Sequence, residues 1–372
     1  MNFQSKRFIF ELASPKDSEE ILNILEEDDF KGNISICYTR RPNAYDSFMK
    51  EGDEVHMLVC RDTHNSAIAG MGALACRMAY INGKEEKVGY LFGLRIKKGY
   101  RKAYSLIPRG YAFIHSLLEK MGIRYIYTTI LEENKHAQRI FEKKRASIPH
   151  YEFLCNYNVY ALKANPRQKS RTKDGFTFRR ASKGDIPEII EFLNAEGKKK
   201  HFYPQITEDL ITHNCIPGLN YDDFHLLFSR QNEILACGAL WNQQSYKQYI
   251  VKKYGGLLKL LHPISTLLPI AGYPALPKLD SILDFSTLSF WAIKGGSREI
   301  FNVFLNGISQ CANSHTFFLI GINERDPLKD LLDKTPHINY SSRVYLVNWE
   351  KSIKVAGDFD SKQSIYIECG ML

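Results

Sequence analysis

The chain runs twice through one order of apolar and polar positions. FIFELASPKDSEEILNIL, from Phe8 to Leu25, and FTFRRASKGDIPEIIEFL, from Phe176 to Leu193, share Phe8/Phe176, Phe10/Phe178, Ala13/Ala181, Ser14/Ser182, Asp17/Asp185, Glu20/Glu188, Ile21/Ile189 and Leu25/Leu193. In each copy the alternation predicts a short strand, with Phe8 and Phe10 on one face of the first. A serine then stands at the N-cap position, and an apolar stripe at helical spacing follows it. The stripe is Ile21, Leu22 and Leu25 in the first copy, and Ile186, Ile189, Ile190 and Leu193 in the second. Pro15 suits the first position of the first helix.

The pattern continues in parallel. In the first copy VHMLVCRD and AIAGMGALACRMAYING predict a hairpin, KVGYLFGLRI a strand, residues 105–120 a helix, YIYTTI a strand, NKHAQRIFEKK a short helix, and YEFLC and YNVYALK two closing strands. The predicted order is β-α-α-β-β-β-α-β-α-β-β. The second copy repeats it with FHLLFSR, EILACGALWNQ, ILDFSTLSFWAI, REIFNVFLNGISQCA, TFFLIGI, DPLKDLLDK, SRVYLVNW and SIYIEC. One extra piece, residues 246–281, is apolar and proline-containing and is expected to be a packing or interface element. Between the copies KANPRQKSRTKDG is polar and basic and reads as a linker.

Length agrees with the repeat: 372 residues suit two domains. Fifty basic against 41 acidic residues leave a net charge of +9, which fits a polyanionic ligand, a nucleic acid or solubility alone. The eight cysteines form no CxxC pair and are expected to be reduced, mostly buried thiols of a cytoplasmic protein, with no metal site. MNFQSKRF lacks the apolar core of a signal peptide. Residues 257–276 carry Lys259, His262 and three prolines, so no bilayer span and no membrane partner is expected. That stretch is nonetheless too apolar to be left in water, and its cover is expected to be its own domain, the first domain or a second chain as a homodimer.

The element order, and the passage from a strand through KKGYRKAYS into a helix, resemble the GNAT superfamily of acyl-CoA N-acyltransferases over nearly the whole chain. ALWNQQSYKQYIV, from Ala239 to Val251, is also similar to a stretch of uncharacterised bacterial tandem proteins of this type. The resemblance implies an α+β fold of two tandem GNAT-like domains, each a mixed, mostly antiparallel twisted sheet flanked by helices. Their bounds would be 1–163 and 176–372, with 164–175 as linker.

It also implies an acetyl-CoA site in the first copy. The family pattern Arg-x-x-Gly-x-Gly/Ala falls on Arg101, Tyr104 and Leu106, so the arginine is kept and the glycines are not. Such a loop aims backbone N–H groups and a helix dipole at a pyrophosphate. Lys97, Lys98, Arg101 and Lys102 add four cations within six residues, although a solvated basic loop would look the same. The cofactor-binding residues implied are Leu94, Ile96, Arg101, Lys102, Ala103, Tyr104, Ser105 and Asn134. Asn134 would meet the pantetheine arm, cap its helix, or do both. Where many members place a tyrosine that protonates the leaving thiolate, this chain has Phe141; Tyr104, Tyr151 and Tyr157 are substitutes. A backbone N–H near Phe92 to Leu94 would polarise the thioester carbonyl.

For the base, Glu86 and Tyr90 share one strand face, while Glu85 and Glu86 also read as turn residues in NGKEEK. His115 and His136, alone on helices, read as structural or solvated. The second copy has KGGSREI in place of the basic loop and is expected to bind no CoA. The activity implied is transfer of acetyl to a primary amine of a small or amino-acid-like acceptor. Two alternatives stay open: a non-catalytic CoA-binding or interaction protein, prompted by Phe141 and the glycine-poor loop, and an aminoacyl-tRNA-dependent transferase, which the basic linker permits. Nucleic acid is otherwise not an expected partner.

Overall fold

The computed structural model describes residues 7–143, 147–165, 175–212, 216–312, 315–350 and 354–372. Most of the expected linker, and Cys215, lie outside them. The first half runs β1 (Phe8–Leu12), α1 (Ser18–Glu26), β2 (Ile34–Thr39), α2 (Ala44–Phe48), β3 (Glu54–Asp62), β4 (Ile68–Ile81), β5 (Lys84–Ile96), α3 (Leu106–Met121), β6 (Tyr125–Leu131), α4 (Lys135–Phe141) and β7 (His150–Lys163). The second runs β8 (Thr177–Arg180), α5 (Ile186–Gly197), β9 (Lys200–His201), α6 (Glu208–Thr212), β10 (Phe224–Phe228), β11 (Ile234–Trp241), β12 (Gln248–Tyr254), α7 (Gly256–Leu261), β13 (Phe285–Ile293), α8 (Arg298–Cys311), β14 (Phe317–Asn323), α9 (Lys329–Asp333), β15 (His337–Asn348) and β16 (Ser364–Ile365).

The repeated Ser-x-x-Asp explains itself at this level. Ser14 N–H donates to Asp17 Oδ2 at 2.8 Å and Ser182 N–H to Asp185 Oδ2 at 2.7 Å, so each copy starts its helix with a reciprocal capping box. An arginine seals each: Arg61 reaches Asp17 and Arg179 reaches Asp185, both at 2.7 Å.

The two halves share one twelve-stranded sheet, ordered β1-β3-β4-β5-β6-β15-β7-β14-β13-β11-β10-β8. The last long strand of each half is exchanged. β15 of the second half lies between β6 and β7 of the first, and β7 pairs with β14 of the second. β7 and β15 run antiparallel over a long central ladder that buries the join. Two sequence expectations change here. The two closing strands of the first copy are one, because β7 needs its full length to span β15 and β14. A strand, β2, stands between the first two helices and pairs with β12 of the insertion. The insertion packs one face, through Leu258, Leu261 and Leu268, on Val251, Tyr254 and Leu276.

Within each half two strands run parallel and then part. β5 and β6 pair only from Val88 to Leu91, and β13 and β14 only from Phe285 to Leu288. Beyond those residues each pair splays into a slot. The five buried cysteines (37, 60, 76, 155 and 237) sit in the interior, whereas Cys311 is exposed. Among the described residues no helix is long and apolar enough to cross a membrane, and no cluster has the make-up of a metal site.

Candidate functional site

At the mouth of the first slot β5 carries a bulge. Ala73 pairs with Phe92 and Met71 with Arg95, so Gly93 and Leu94 oppose the single residue Gly72. A bulge leaves its extra residue outside the ladder and turns its backbone aside. Gly93 has φ +65°, and a Cβ there would lie 2.9 Å from Phe48, so glycine is required twice over.

The second half has the same bulge, with Phe290 and Trp291 opposing Gly238. There Phe290, not glycine, takes φ +52°. Its N–H donates to Glu368 Oε2 at 2.6 Å, and Tyr203 Oη donates to its carbonyl at 2.9 Å. The segment around Glu368 fills that slot: Tyr157 Oη donates to the Ile367 carbonyl at 2.6 Å, and Gly370 lies so close to Trp241 and Ser289 that it has no room for a Cβ. Burial pushes the Glu368 carboxyl up from its usual range, against the pull of the Phe290 and Gly370 N–H groups. The second half's bulge is therefore stoppered by the chain itself, with Phe290 and Trp291 buried, whereas Leu94 of the first bulge is exposed to solvent.

Beside the first bulge four tyrosines from four strands converge. Tyr38 of β2 and Tyr249 of β12 have ring centroids 5.2 Å apart. Tyr90 of β5 stacks on Phe92 at 5.3 Å and on Tyr127 at 4.9 Å, with its hydroxyl 3.0 Å from Thr129 Oγ1. Tyr340 of β15 is 42% exposed and interacts electrostatically with Cys369 and Tyr90. Burial pushes the phenols of Tyr38, Tyr90 and Tyr249 above their ordinary range, Tyr38 to about 12. At neutral pH they keep their protons. Burial likewise pushes the Cys369 thiol up to about 12, so it is no ready nucleophile.

Behind the tyrosines lies a buried ion cluster that joins the halves. Arg40 Nη2 is 2.5 Å from Glu51 Oε1, and Lys247 Nζ of the second half is 3.3 Å from the same oxygen. Arg40 also donates to Tyr38 Oη at 2.5 Å and to Ser47 Oγ at 3.0 Å, and its guanidinium lies 4.2 Å from the Phe48 ring centre. Lys247 donates to the Leu372 carbonyl at 2.7 Å. Burial alone would raise the Glu51 carboxyl, but Lys247 and Arg40 outweigh it and hold it below the usual range. Burial holds Lys247 below the ordinary lysine range against the pull of Glu51.

The residues singled out from sequence fall into groups. Leu94 is half-exposed on the bulge, and Tyr90 lies four residues before it on the same strand. Arg101, Lys102, Tyr104 and Ser105 are exposed in the loop between β5 and α3, with Tyr104 the barest. Ile96 and Ala103 pack beneath that loop on Phe8, Cys60, Ala69 and Leu106. The loop's charge is partly met from α1 and the turn after it: Lys97 pairs with Glu20 at 3.3 Å, Lys98 with Asp28 at 3.3 Å, and Arg101 with Asp28. Asn134 caps α4, its Oδ1 accepting from Ala137 N–H at 3.1 Å.

Glu86 is at the hairpin end of β5, seven strand residues from Gly93, or roughly 23 Å. Phe141 is buried against Tyr151, centroids 4.8 Å apart, and the Tyr151 hydroxyl is bonded to that of Tyr111. Tyr157 is spent on the second half's stopper. Sequence reasoning missed Tyr38, Tyr249, Tyr340 and the Arg40–Glu51–Lys247 cluster. They come together only through the pairing of β2 with β12 and the exchange of β15, for which no single stretch carries a signal.

No protein-family model and no curated protein matches the chain. Solved structures do. Saccharomyces cerevisiae N-myristoyltransferase with bound myristoyl-CoA superposes with a TM-score of 0.59 at 10% identity, covering 99% of this chain and 90% of that one. A conserved Enterococcus faecalis V583 protein described as a probable N-acyltransferase superposes with a TM-score of 0.51 at 10% identity, covering 92% of this chain and 73% of that one. The fold is that of the GNAT-like acyltransferases.

Proposed function

We propose that the chain is an acyl-CoA-dependent N-acyltransferase whose first half holds the donor and whose interdomain cleft admits a primary amine. The observation that carries this reading is the pair of bulges: Gly93 stands beside the exposed Leu94, and its counterpart Phe290 is stoppered by Glu368. The likeness to N-acyltransferase structures supports acyl transfer from a CoA thioester. CoA would lie with its phosphates on the loop from Lys97 to Ser105 and its pantetheine arm in the slot between β5 and β6. The bulge N–H at Gly93 would meet the thioester oxygen.

The amine nitrogen attacks the thioester carbonyl carbon, the C–S bond breaks, and CoA leaves as thiolate. The attacking nitrogen gives up one proton, which passes through water to that thiolate, so the products are the amide and the CoA thiol. Holding amine and thioester together supplies the largest part of the acceleration. The tyrosine hydroxyls, kept protonated by burial, would donate hydrogen bonds to the departing sulfur or to water beside it.

The donor we favour is acetyl-CoA. Phe48, Phe92, Tyr90 and Tyr127 stack in a row beside the bulge, with successive centroids 5.5, 5.3 and 4.9 Å apart, and fill the sheet face that a long chain would need. The acceptor we favour is a small amine or amino-acid-like molecule, since the cleft wall is built of phenols rather than an apolar groove. The test is CoA release with acyl-CoA donors from acetyl to myristoyl, each against a panel of primary amines. Amine-dependent release greatest with acetyl-CoA is expected. Release with no donor of any length would overturn the reading.

A further inference from the structure

The insertion after β12 presents two apolar faces, and only one is covered. Leu258, Leu261 and Leu268 face inward. Leu257, Leu260, Ile264, Leu267 and Ile270 face outward, with Leu260 73% and Ile270 83% exposed. Tyr273, Leu279 and Ile282 extend the same bare surface. The outward residues recur at intervals of three or four, so they form one ridge over α7 and the turns that follow it. A contiguous apolar surface of this kind on a folded chain marks a contact site.

Charge decides what the ridge contacts. Lys252, Lys253, Lys259 and Lys278 are all exposed around it. From Gly255 to Leu279 the sequence holds no acidic residue, and Asp280, which follows, is bonded to Lys252 at 2.8 Å. A bare leucine ridge inside a lysine rim matches the acyl and headgroup layers of an anionic bilayer surface. A second copy of this chain fits poorly, because a two-fold contact through the ridge would bring one lysine rim against another, with no acidic residue between Gly255 and Leu279 to meet it.

We propose that residues 256–282 seat the protein peripherally on an anionic lipid bilayer. No element crosses the membrane; the ridge enters the acyl boundary while the lysines stay at the headgroups. The ridge adjoins β12, whose Tyr249 lines the acceptor cleft, so the bilayer lies beside the mouth of the site. This proposal stands whether or not the chain transfers acyl groups.

The test uses the full chain sedimented with vesicles of phosphatidylcholine alone or of phosphatidylcholine with phosphatidylglycerol, over a salt series. Binding to the anionic vesicles only, weakening with salt, is expected. A variant carrying Leu260→Ser, Ile264→Ser and Leu267→Ser should lose it. A second variant, Lys253→Gln with Lys259→Gln and Lys278→Gln, leaves every apolar contact in place and guards against misfolding in the first. It should bind on the order of a hundredfold more weakly, at about fivefold per lysine. Absence of binding to anionic vesicles, or equal binding by the lysine variant, would overturn the proposal. So would a concentration-dependent dimer of the native chain that the serine variant abolishes without any lipid binding.

Discussion

On the proposed function, Gly93 is the residue on which the chemistry turns. Its positive φ and the 2.9 Å approach of Phe48 to its missing Cβ leave no alternative side chain. Gly93→Val should move the bulge N–H off its line. Loss of one oxyanion donor costs roughly a hundred- to a thousandfold in kcat. We expect a fall of that size with CoA affinity little changed, read by steady-state kinetics beside calorimetry. Arg101 offers the complementary case. Arg101→Ala should weaken CoA by about 1.5–3 kcal/mol at most, less whatever the pairing with Asp28 already takes up, while pantetheine binding stays the same. Equal loss for both ligands in calorimetry would make it a structural arginine.

A third residue reports on stability. Burial pushes His225 down to about 4 from 6.5, and its Nδ1 lies 3.0 Å from the Asp223 carbonyl. As pH falls, the unfolded chain takes up the proton first. Stability should therefore decline from about pH 6.5 to about 4 and this contribution should level off below. His225→Gln should flatten that limb in denaturant titrations.

At the scale of elements the two capping boxes bear the clearest sequence signal, because Ser14, Asp17, Ser182 and Asp185 act within four residues of one another. Ser182→Ala should cost about 1 kcal/mol, measured by urea unfolding, with no change in ligand binding. Periodicity also located the helix ends, the long hairpins and the basic loop, all of which depend on neighbours in sequence. It did not locate β2, whose six residues find their partner in β12, Gln248 to Thr39 and onward, across some two hundred residues. Nor did it join YEFLC to YNVYALK, since the reason for one unbroken β7 lies in β14 and β15. The bulge was not legible; only the family resemblance pointed to a backbone N–H near Phe92 to Leu94. Gly93 alone in a strand marks a bulge only once Gly72 is known to face it.

For the whole molecule, strand exchange has two consequences. Residues 1–165 alone would leave β6 and β7 without the strand between them, so isolated halves should be insoluble or unfolded, whereas the two fragments made together should assemble. Gel filtration of separate and co-expressed fragments checks this. The Arg40–Glu51–Lys247 cluster fastens the same join. Glu51→Ala strands two buried cations and should cost about 3–5 kcal/mol. The cleft's tyrosines were hidden from sequence for the same reason: they are contributed by four strands that meet only because the halves interlock.

The account's central claim is that one of two like slots holds the donor. Calorimetric titration of the full chain with CoA measures it directly. The account predicts one site per chain, weakened by Arg101→Ala together with Lys102→Ala and untouched by Lys294→Ala, which removes a cation from the corresponding loop of the second half. Two sites per chain, no binding, or loss of binding through Lys294→Ala would contradict it.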